Sequence, residues 1–335
     1  MSHYHLYAIG NALVDTEYEV SDALLQTMGV SKRHMTLIDA EQRSALLKHV
    51  DGLHARRTGG GSAGNTVVAL AQLGGKAFYS CRVADDELGA FYTQDLQANG
   101  VATNLTHTQA HPGQTGSCMV LVTPDAERTM CTFLGATSQL DRHALHPQDI
   151  AKARVYYMEG YLAASPTGLE AALEGLKIAK QHGVQTALTL SDVSMINFCR
   201  AGLQAMVGDG LDYLFANEEE AQVWCDSTDL DAILPQLQQL ARTVCLTRGP
   251  QGCIVLRGKD RVHVPAVPTH AIDTNGAGDM FAGSFLYGVT HGMNDAQAAA
   301  LANRAAAAVV SQHGNRLTAA RLQAILHDAL AAVAA

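Results

Sequence analysis

The chain has 335 residues, of which 47% are hydrophobic and 16% are charged, and its formal net charge is −9. This apolar content is enough for a large core, which excludes a globally disordered chain. The acidic balance and the lack of a lysine- or arginine-rich block argue against a nucleic-acid partner. No apolar run reaches the roughly 18 residues of a membrane span, so we expect no membrane partner.

The seven cysteines are scattered and odd in number, and none belongs to a Cys-x-x-Cys pair. In a chain of this length, that pattern is typical of reduced, mostly buried thiols rather than of a disulfide framework or a zinc site. We therefore expect free thiols and a cytoplasmic protein.

Along most of the chain, short apolar runs alternate with helical patterns. The predicted strands cover residues 6–9, 77–81, 155–158, 186–190, 212–215, 243–247, 253–257 and 261–264. The predicted helices cover residues 62–73, 87–98, 168–182, 217–225, 277–291, 295–312 and 318–334. Such alternation indicates βαβ units and an α/β fold with a mainly parallel central sheet covered by helices.

Two stretches, at about 12–50 and 113–135, break this alternation. Both contain adjacent short β segments with little helical periodicity. We expect them to form one small β-sheet at the edge of the large sheet, within a single domain that spans residues 1–335. Because ligands of open α/β sheets bind outside the carboxyl ends of the strands, a small sheet there would act as a lid.

The strongest motif is the segment 273–279, Asp-Thr-Asn-Gly-Ala-Gly-Asp, which precedes an apolar helix. The small residues Gly276, Ala277 and Gly278 let backbone N–H groups approach an anion closely, and the helix start adds the positive end of its dipole. Asp279 is either an ordinary first-turn acid or a base that takes a proton from an attacking hydroxyl. The combination favours phosphoryl transfer.

A second glycine-rich segment, 59–65, has the sequence Gly-Gly-Gly-Ser-Ala-Gly-Asn. It formally matches the dinucleotide-binding pattern Gly-x-Gly-x-x-Gly, with Asp85 or Asp86 as the ribose acid about twenty residues later. The preceding residues, 53–58, are polar and basic rather than a buried strand, so the match is weak. A tight turn that feeds a helix explains the glycines but not Asn65. An NAD-binding oxidoreductase remains a remote alternative.

Asn217 and Glu220 directly follow a predicted strand. They form either a capping box or a pair at a strand's carboxyl end that orders Mg²⁺ and its waters. The chain lacks the P-loop motif and the paired His-Arg-Asp and Asp-Phe-Gly motifs of protein kinases. Those two enzyme classes are therefore excluded.

Taken in this order, the three segments resemble the signature of the ribokinase family of carbohydrate and nucleoside kinases, also known as the phosphofructokinase-B family. The family's Asp-Thr-x-Gly-Ala-Gly-Asp, Gly-Gly-x-x-x-Asn and Asn-x-x-Glu patterns match segments 273–279, 60–65 and 217–220. The opening segment 10–15, Gly-Asn-Ala-Leu-Val-Asp, is similar to the adenosine kinases of this family, whereas segment 60–65 is closer to its sugar kinases. The resemblance spans nearly the whole chain.

The resemblance implies a ribokinase-like three-layer fold and a kinase that uses ATP and Mg²⁺ to phosphorylate the 5′-hydroxyl of adenosine in purine salvage. A sugar such as ribose or fructose, or another nucleoside, is the alternative acceptor. A catalytically silent binding protein on the same fold is disfavoured by the intact Asp279 and its glycines. The expected partners are small molecules, and the expected assembly is a monomer or a homodimer.

Individual roles also follow from the resemblance. Asp279 would be the general base, the amides of residues 275–278 an anion hole, and Arg128 a cation that approaches the transferred phosphate when the lid closes. The sugar hydroxyls would be held by Asn11, Asp15, Gly60, Gly61 and Asn65. ATP would contact Asn217, Thr247, Gly249, Gly252 and Asn303. The metal positions would be Glu220 for Mg²⁺ through water, and Asp273 with the carbonyl of Asn275 where some members bind K⁺.

Overall fold

A computed structural model describes residues 3–32, 35–106, 111–125 and 127–334, with two β-sheets and twelve α-helices among them. The strands are β1 Tyr4–Ile9, β2 Leu13–Glu19, β3 Met35–Leu37, β4 Ala55–Gly60, β5 Ala77–Ser80, β6 Ala102–Thr103, β7 Ser117–Val122, β8 Arg128–Phe133, β9 Ala153–Glu159, β10 Gln185–Thr189, β11 Leu211–Asn217, β12 Ala241–Thr247, β13 Cys253–Arg257 and β14 Asp260–Val264. The helices are α1 Asp22–Thr27, α2 Ala40–His49, α3 Ser62–Gln72, α4 Glu87–Ala98, α5 Pro147–Ile150, α6 Pro166–Gln181, α7 Val193–Val207, α8 Glu218–Cys225, α9 Leu230–Gln238, α10 Ala277–Thr290, α11 Asp295–Val310 and α12 Ala319–Ala334.

The larger sheet has nine strands in the order β14-β13-β12-β11-β10-β9-β1-β5-β6. The strands from β12 to β6 all pair in parallel, and β13 and β14 add an antiparallel edge. The central strands are almost continuously buried, as expected for parallel strands that are covered on both faces. The predicted mainly parallel sheet is confirmed.

Helices cover both faces of this sheet because alternate strand residues point to opposite sides. Tyr156 and Met158 of β9 belong to the core that contains residues of α6, α7 and α9. Val155 and Tyr157 of the same strand belong to the core that contains residues of α3, α4, α10 and α11. The result is the three-layer α/β arrangement that the sequence predicts.

The smaller sheet has five strands in the order β3-β8-β7-β2-β4. Both stretches that break the βαβ alternation contribute strands to it, and β4 extends it beyond residue 50. One face packs against α1 and α2 through a separate apolar cluster that includes Tyr18, Leu25, Leu46 and Leu121. The opposite face of the small sheet is turned towards the large sheet.

The segment 12–50 differs from the prediction because it contains two helices as well as strands. Local capping starts both: the Ser21 hydroxyl accepts from the Leu24 amide, and Asp39 and Gln42 form a reciprocal capping box. Only Leu46 of helix α2 is buried. The apolar periodicity of this segment is therefore too weak to predict a helix. The expectation of little helix in this segment was wrong.

All seven cysteines are free thiols, and six of them are buried, as the sequence predicts. Within the described ranges, no helix combines the length and the apolar character needed to cross a bilayer.

Candidate functional site

A cleft of about 650 Å³ lies between the two sheets. One wall is formed at the carboxyl ends of the parallel strands, where open α/β sheets bind their ligands. That wall includes Asn11, Glu159, Thr189, Asn217 and Thr247. The opposite wall is the free face of the small sheet and includes Leu13, Asp15, Leu37, Val120 and Met130.

The start of α10 forms the floor of the cleft. Gly276 caps the helix in the left-handed conformation, with φ +77°, and residues 274–279 all line the cleft. A Cβ atom added at Gly278 would meet no atom within 4 Å, so the backbone there is open to a ligand. Free N–H groups at the positive end of a 14-residue helix are suited to bind an anion such as phosphate.

Asp279 lies in the first turn of α10, and two side chains from the start of α3 hold its carboxylate. The Ser62 hydroxyl donates to Oδ1 at 2.6 Å, and the Asn65 amide donates to Oδ2 at 2.9 Å. Burial raises the pKa of Asp279 to about 6, against the opposing effects of these hydrogen bonds and of Arg316. A carboxylate with this pKa is ionised at neutral pH and still basic enough to accept a proton.

Asp15 projects from β2 into the same cleft and accepts a hydrogen bond of 2.8 Å from Asn315 Nδ2. Burial raises its pKa to about 7, with Arg316 and Arg128 acting in the opposite direction. Gly60 does not line the cleft, but a Cβ there would lie 2.6 Å from the Asp15 oxygens. Gly60 therefore allows β4 to pack directly against this carboxylate.

Glu159 ends β9 and is fully buried beside Asn11. Its two oxygens accept from the Asn11 amide at 2.7 Å and from the Ala63 amide at 2.8 Å, which joins the end of β1 to the start of α3. Burial raises the pKa of Glu159 to about 7. The sequence offered a signal that was missed, namely a carboxylate directly after the apolar run 155–158.

Asn217 and Glu220 form the predicted capping box, and both also line the cleft. The Glu220 amide donates to Asn217 Oδ1 at 2.7 Å, and the Asn217 amide donates to Glu220 Oε2 at 3.0 Å. Burial raises the pKa of Glu220 to about 7. No cluster of three or more His, Cys, Asp or Glu side chains suited to a metal occurs among the described residues. The single carboxylate fits Mg²⁺ held mostly by phosphate oxygens and water, its usual environment.

Arg128 lies at the start of β8 and bridges the small sheet to the segment before α10. Its Nη1 is 2.6 Å from Asp273 Oδ2, and it also pairs with Glu17. Arg128 borders a small cavity beside the main cleft, together with Asp15 and Asn275. The ion pair between Arg128 and Asp273 thus connects the small sheet to the segment before α10 and brings the predicted cation near the anion-binding turn.

The carboxylate of Asp273 is buried and already has several partners. It accepts from the Asn275 amide at 3.1 Å and from the Gly314 amide at 2.9 Å, in addition to pairing with Arg128. A monovalent cation bound to Asp273 would have to compete with the Arg128 guanidinium. In this arrangement the residues do not fit the predicted K⁺ site.

Of the residues expected to contact ATP, Asn217 and Thr247 line the cleft, whereas Gly249, Gly252 and Asn303 do not. The Asn303 amide donates to the carbonyls of Val264 and Pro265, both at 3.0 Å. A Cβ at Gly252 would meet the 264–266 backbone. The expected adenine contacts at these three positions stay predictions.

The dinucleotide-binding interpretation of segment 59–64 finds no support in this geometry. The turn follows β4 of the small sheet, which pairs antiparallel with β2, rather than a parallel strand of the large sheet. Asp86, one of the two proposed ribose acids, accepts hydrogen bonds from the Gly89 and Thr115 amides, both at 2.8 Å. It therefore caps α4 and fixes a neighbouring loop.

Sequence reasoning also missed Ser62, Asn315 and Arg316. Ser62 stands inside the glycine-rich motif and could have been found as its hydroxyl-bearing member. Asn315 and Arg316 follow Gly314 in the short connection between α11 and α12. A glycine followed by two polar residues is an ordinary helix end, so nothing local marks these side chains as part of a cleft.

Comparison with known proteins agrees with this geometry. The pfkB family of carbohydrate kinases matches residues 32–320. A probable sugar kinase from Rhizobium etli is 36% identical, with a TM-score of 0.88 and coverage of 98% of this chain and 99% of that one. An adenosine kinase from Sinorhizobium meliloti is also 36% identical, with a TM-score of 0.87 and coverage of 97% and 99%.

A more distant relative, the adenosine kinase of Saccharomyces cerevisiae, is 28% identical over 313 residues, which are 86% of this chain and 89% of that protein. The family match includes the glycine turn before α10, Asp279 and the carboxyl ends of β9, β10, β11 and β12. The chain belongs to the pfkB family of carbohydrate kinases and is a phosphotransferase that acts on a hydroxyl group.

Proposed function

We propose that this kinase transfers the γ-phosphoryl group of ATP to the 5′-hydroxyl of adenosine. The observation that carries this proposal is the contrast between the two walls of the cleft. The wall at the strand ends is polar, whereas the wall formed by the small sheet is largely apolar. A nucleoside has the same division, because its ribose is polar and its base is a flat ring with apolar faces.

The apolar wall comes from alternate residues of the small sheet, since successive strand residues point to opposite faces. The side chains that line it are Leu13, Met35, Leu37, Cys118, Val120, Met130 and Leu134. Met35 and Leu37 are 45% and 58% exposed, which is unusual for large apolar side chains beside a cleft. A base placed against them would remove this surface from water, whereas a free sugar would bury its hydroxyls there.

The relatives include both acceptor classes. Two of the three relatives described above bear the name adenosine kinase, including one that is 36% identical. The other is named a probable sugar kinase. A sugar therefore remains the second candidate, favoured by that relative and by the Gly-Gly-Ser-Ala-Gly-Asn form of segment 60–65.

In the proposed reaction, Asp279 accepts the proton of the 5′-hydroxyl. The oxygen forms a bond to the γ-phosphorus as the bond from that phosphorus to the β,γ-bridging oxygen breaks, and ADP leaves. The amides of Gly276 and Gly278 stabilise the charge on the transferred group. The other two expected amides, those of Asn275 and Ala277, already donate to Asp273 Oδ1 and to the Thr274 carbonyl. Arg128 adds a cation from the lid side.

The remaining cleft residues position the two substrates. Asp15 accepts hydrogen bonds from the ribose hydroxyls, and Asn11, Gly61 and Asn65 complete that end of the cleft. Asn217 and Thr247 border the end where ATP would bind, and Glu220 would hold Mg²⁺ through water molecules. When bound, Mg²⁺ neutralises phosphate charge. Closure of the small sheet as a lid would keep water from competing with the acceptor.

The test is ADP formation from ATP and Mg²⁺ with adenosine, inosine, guanosine, ribose, fructose or no acceptor. We expect turnover with adenosine well above that with each other compound and with buffer alone. Preference for ribose or fructose would replace the proposed acceptor with a sugar. The absence of turnover across the panel, for protein shown to be folded, would contradict the proposal.

A further inference from the structure

Two glycines of the segment 59–65 have no role in the function proposed above. Gly59 is the second-last residue of β4, and Gly64 lies in the first turn of α3. A Cβ at Gly59 would lie 2.7 Å from Arg316 Nη1, and a Cβ at Gly64 would lie 3.7 Å from Arg316 Nη2. Gly59 therefore leaves room for the guanidinium of Arg316 behind the catalytic wall, whereas Gly64 leaves room mainly for the Tyr92 hydroxyl, 2.5 Å from its added Cβ.

The guanidinium makes two polar contacts in this space. Arg316 Nε donates to Asn65 Oδ1 at 2.8 Å, and Nη1 pairs with Asp95 Oδ2 at 2.5 Å. Because Arg316 donates, the oxygen of the Asn65 amide must face it and the NH₂ group must face Asp279. Arg316 thereby fixes the orientation in which Asn65 donates to Asp279 Oδ2.

Arg316 also sets the balance of charge around Asp279. The titratable and charged groups that face Asp279 are Asp15 on β2, Tyr157 and Glu159 on β9, Tyr161 just after β9, Glu220 on α8 and Arg316 before α12. Arg316 is the cation in this set, and it opposes the effect of burial on the pKa of both Asp279 and Asp15. The groups that face Arg316 from the other side are Asp95 and Tyr92 on α4.

We propose that Arg316 is a positioning residue for the phosphoryl transfer, because it holds Asn65 in the orientation that donates to the Asp279 carboxylate. It touches neither substrate nor the reacting atoms, since it does not line the cleft. The inference rests on the proposed role of Asp279 as the base.

The decisive experiment compares variants that remove opposite halves of one ion pair. Arg316→Met removes the positive charge and frees the Asn65 amide, whereas Asp95→Asn removes the negative charge and leaves Arg316 in contact with Asn65. We expect Arg316→Met to lower kcat about ten- to a hundred-fold and to raise the acidic midpoint of the kcat–pH profile by about 0.5–1 pH unit. We expect Asp95→Asn to keep most of kcat and to shift that midpoint slightly downwards.

If the ion pair were purely structural, Arg316→Met and Asp95→Asn would lower kcat to a similar extent. Neither variant would then shift the acidic midpoint of the kcat–pH profile. Arg316→Lys, which keeps the charge without the planar fork, should retain the wild-type midpoint and lose part of kcat. It also serves if the methionine variant does not fold. The matched control is Arg257→Met, since Arg257 forms a similar ion pair with Asp295, with Nε 2.6 Å from Oδ2, at the far edge of the sheet. It should lower stability without moving the pH profile.

Two failures are distinguishable in these data. The first failure concerns Arg316. Suppose that the wild-type kcat–pH profile has an acidic limb and that Asp279→Asn abolishes it. If Arg316→Met, Arg316→Lys and Asp95→Asn then all leave the midpoint of that limb unchanged, the inference about Arg316 is wrong. If Asp279→Asn retains wild-type turnover, the proposed function itself fails.

Discussion

The two glycine-rich turns of the molecule look alike in sequence and differ in what surrounds them. Each precedes a helix, α3 after residue 61 and α10 after residue 276, and each has a glycine with positive φ at the helix start. A Cβ at Gly61 would overlap the Asn11 carbonyl oxygen, whereas a Cβ at Gly278 would meet no atom within 4 Å. Gly276, the equivalent cap of α10, is also packed against protein, since its added Cβ would lie 2.6 Å from the Asn315 carbonyl oxygen. The difference therefore lies at Gly278, which is open to the cleft.

This difference separates two uses of glycine. In the turn before α3, the missing side chains let β4 and α3 pack against Asp15, Asn11 and Arg316. In the turn before α10, the missing side chain of Gly278 leaves backbone N–H groups free for a ligand. A Gly-x-Gly-x-x-Gly pattern therefore does not by itself locate a phosphate site, and the space around each glycine decides which use applies.

The two turns meet at Asp279, where α10 supplies the carboxylate and α3 supplies the Ser62 and Asn65 donors. Asp279→Ala should lower kcat by about 10²–10⁴-fold, the usual contribution of a general base. The fold should persist, because only one side chain at the cleft is shortened. Steady-state ADP formation measures the loss, and circular dichroism checks the fold. Turnover near the wild-type value would show that the acid has no part in the chemistry.

Alanine at each turn separates packing from ligand binding. Gly61→Ala should destabilise the protein by roughly 1–3 kcal/mol or more, because φ is +84° and the new methyl group overlaps backbone. Gly278→Ala should leave the free energy of unfolding unchanged or slightly raised, since alanine favours helix by up to about 1 kcal/mol. It should nevertheless weaken turnover, because the methyl group enters the space beside the amides.

Chemical denaturation and kcat/KM for ATP would be measured for both variants. The proposed difference between Gly61 and Gly278 is contradicted if Gly278→Ala lowers the free energy of unfolding. It is also contradicted if Gly61→Ala leaves that free energy unchanged and lowers only the activity. Gly292→Ala serves as a control for positive φ without crowding, since φ is +88° and a Cβ there meets nothing within 4 Å.

A smaller effect is expected in the pH dependence of stability. Burial raises the pKa of Asp279 from 3.8 to about 6, so between these values the folded protein binds more protons at this group than the unfolded chain does. The free energy of unfolding contributed by Asp279 is therefore present below about pH 4 and is lost as pH rises through about 6. Asp279→Asn removes this dependence, so its Tm relative to wild type should be higher at pH 8 than at pH 4. An equal difference in Tm at both pH values would contradict the raised pKa.

Much of the fold could be predicted from the sequence because its strands and helices have strong, simple patterns. The buried strand segments 155–158 and 244–246 are continuous apolar runs, and α10 and α11 are long, largely apolar helices. Helices α7 and α9 were not predicted. Helix α7 is kinked at Cys199, which has non-helical φ and ψ and interrupts the helical period. Helix α9 contains Pro235, which ordinarily ends a helix.

The site divides in the same way. Asp279 and Asn217 lie in short motifs that local spacing singled out, whereas the role of Asn65 came from the family resemblance. Glu159 and Arg316 act through partners far along the chain, since Arg316 is 251 positions from Asn65. No local pattern encodes such a contact, because it depends on how α3, α4 and the segment before α12 pack together.

The most direct test of the proposed reaction is the identity and amount of its products. ³¹P NMR of a mixture of the enzyme, adenosine, ATP and Mg²⁺ should show ADP and adenosine 5′-monophosphate forming in equal amounts, with 5′-deoxyadenosine giving neither. Phosphate on the 2′- or 3′-oxygen, or ADP that appears only with free inorganic phosphate, would contradict the assignment of Asp279 and the 276–278 turn to transfer onto the 5′-hydroxyl.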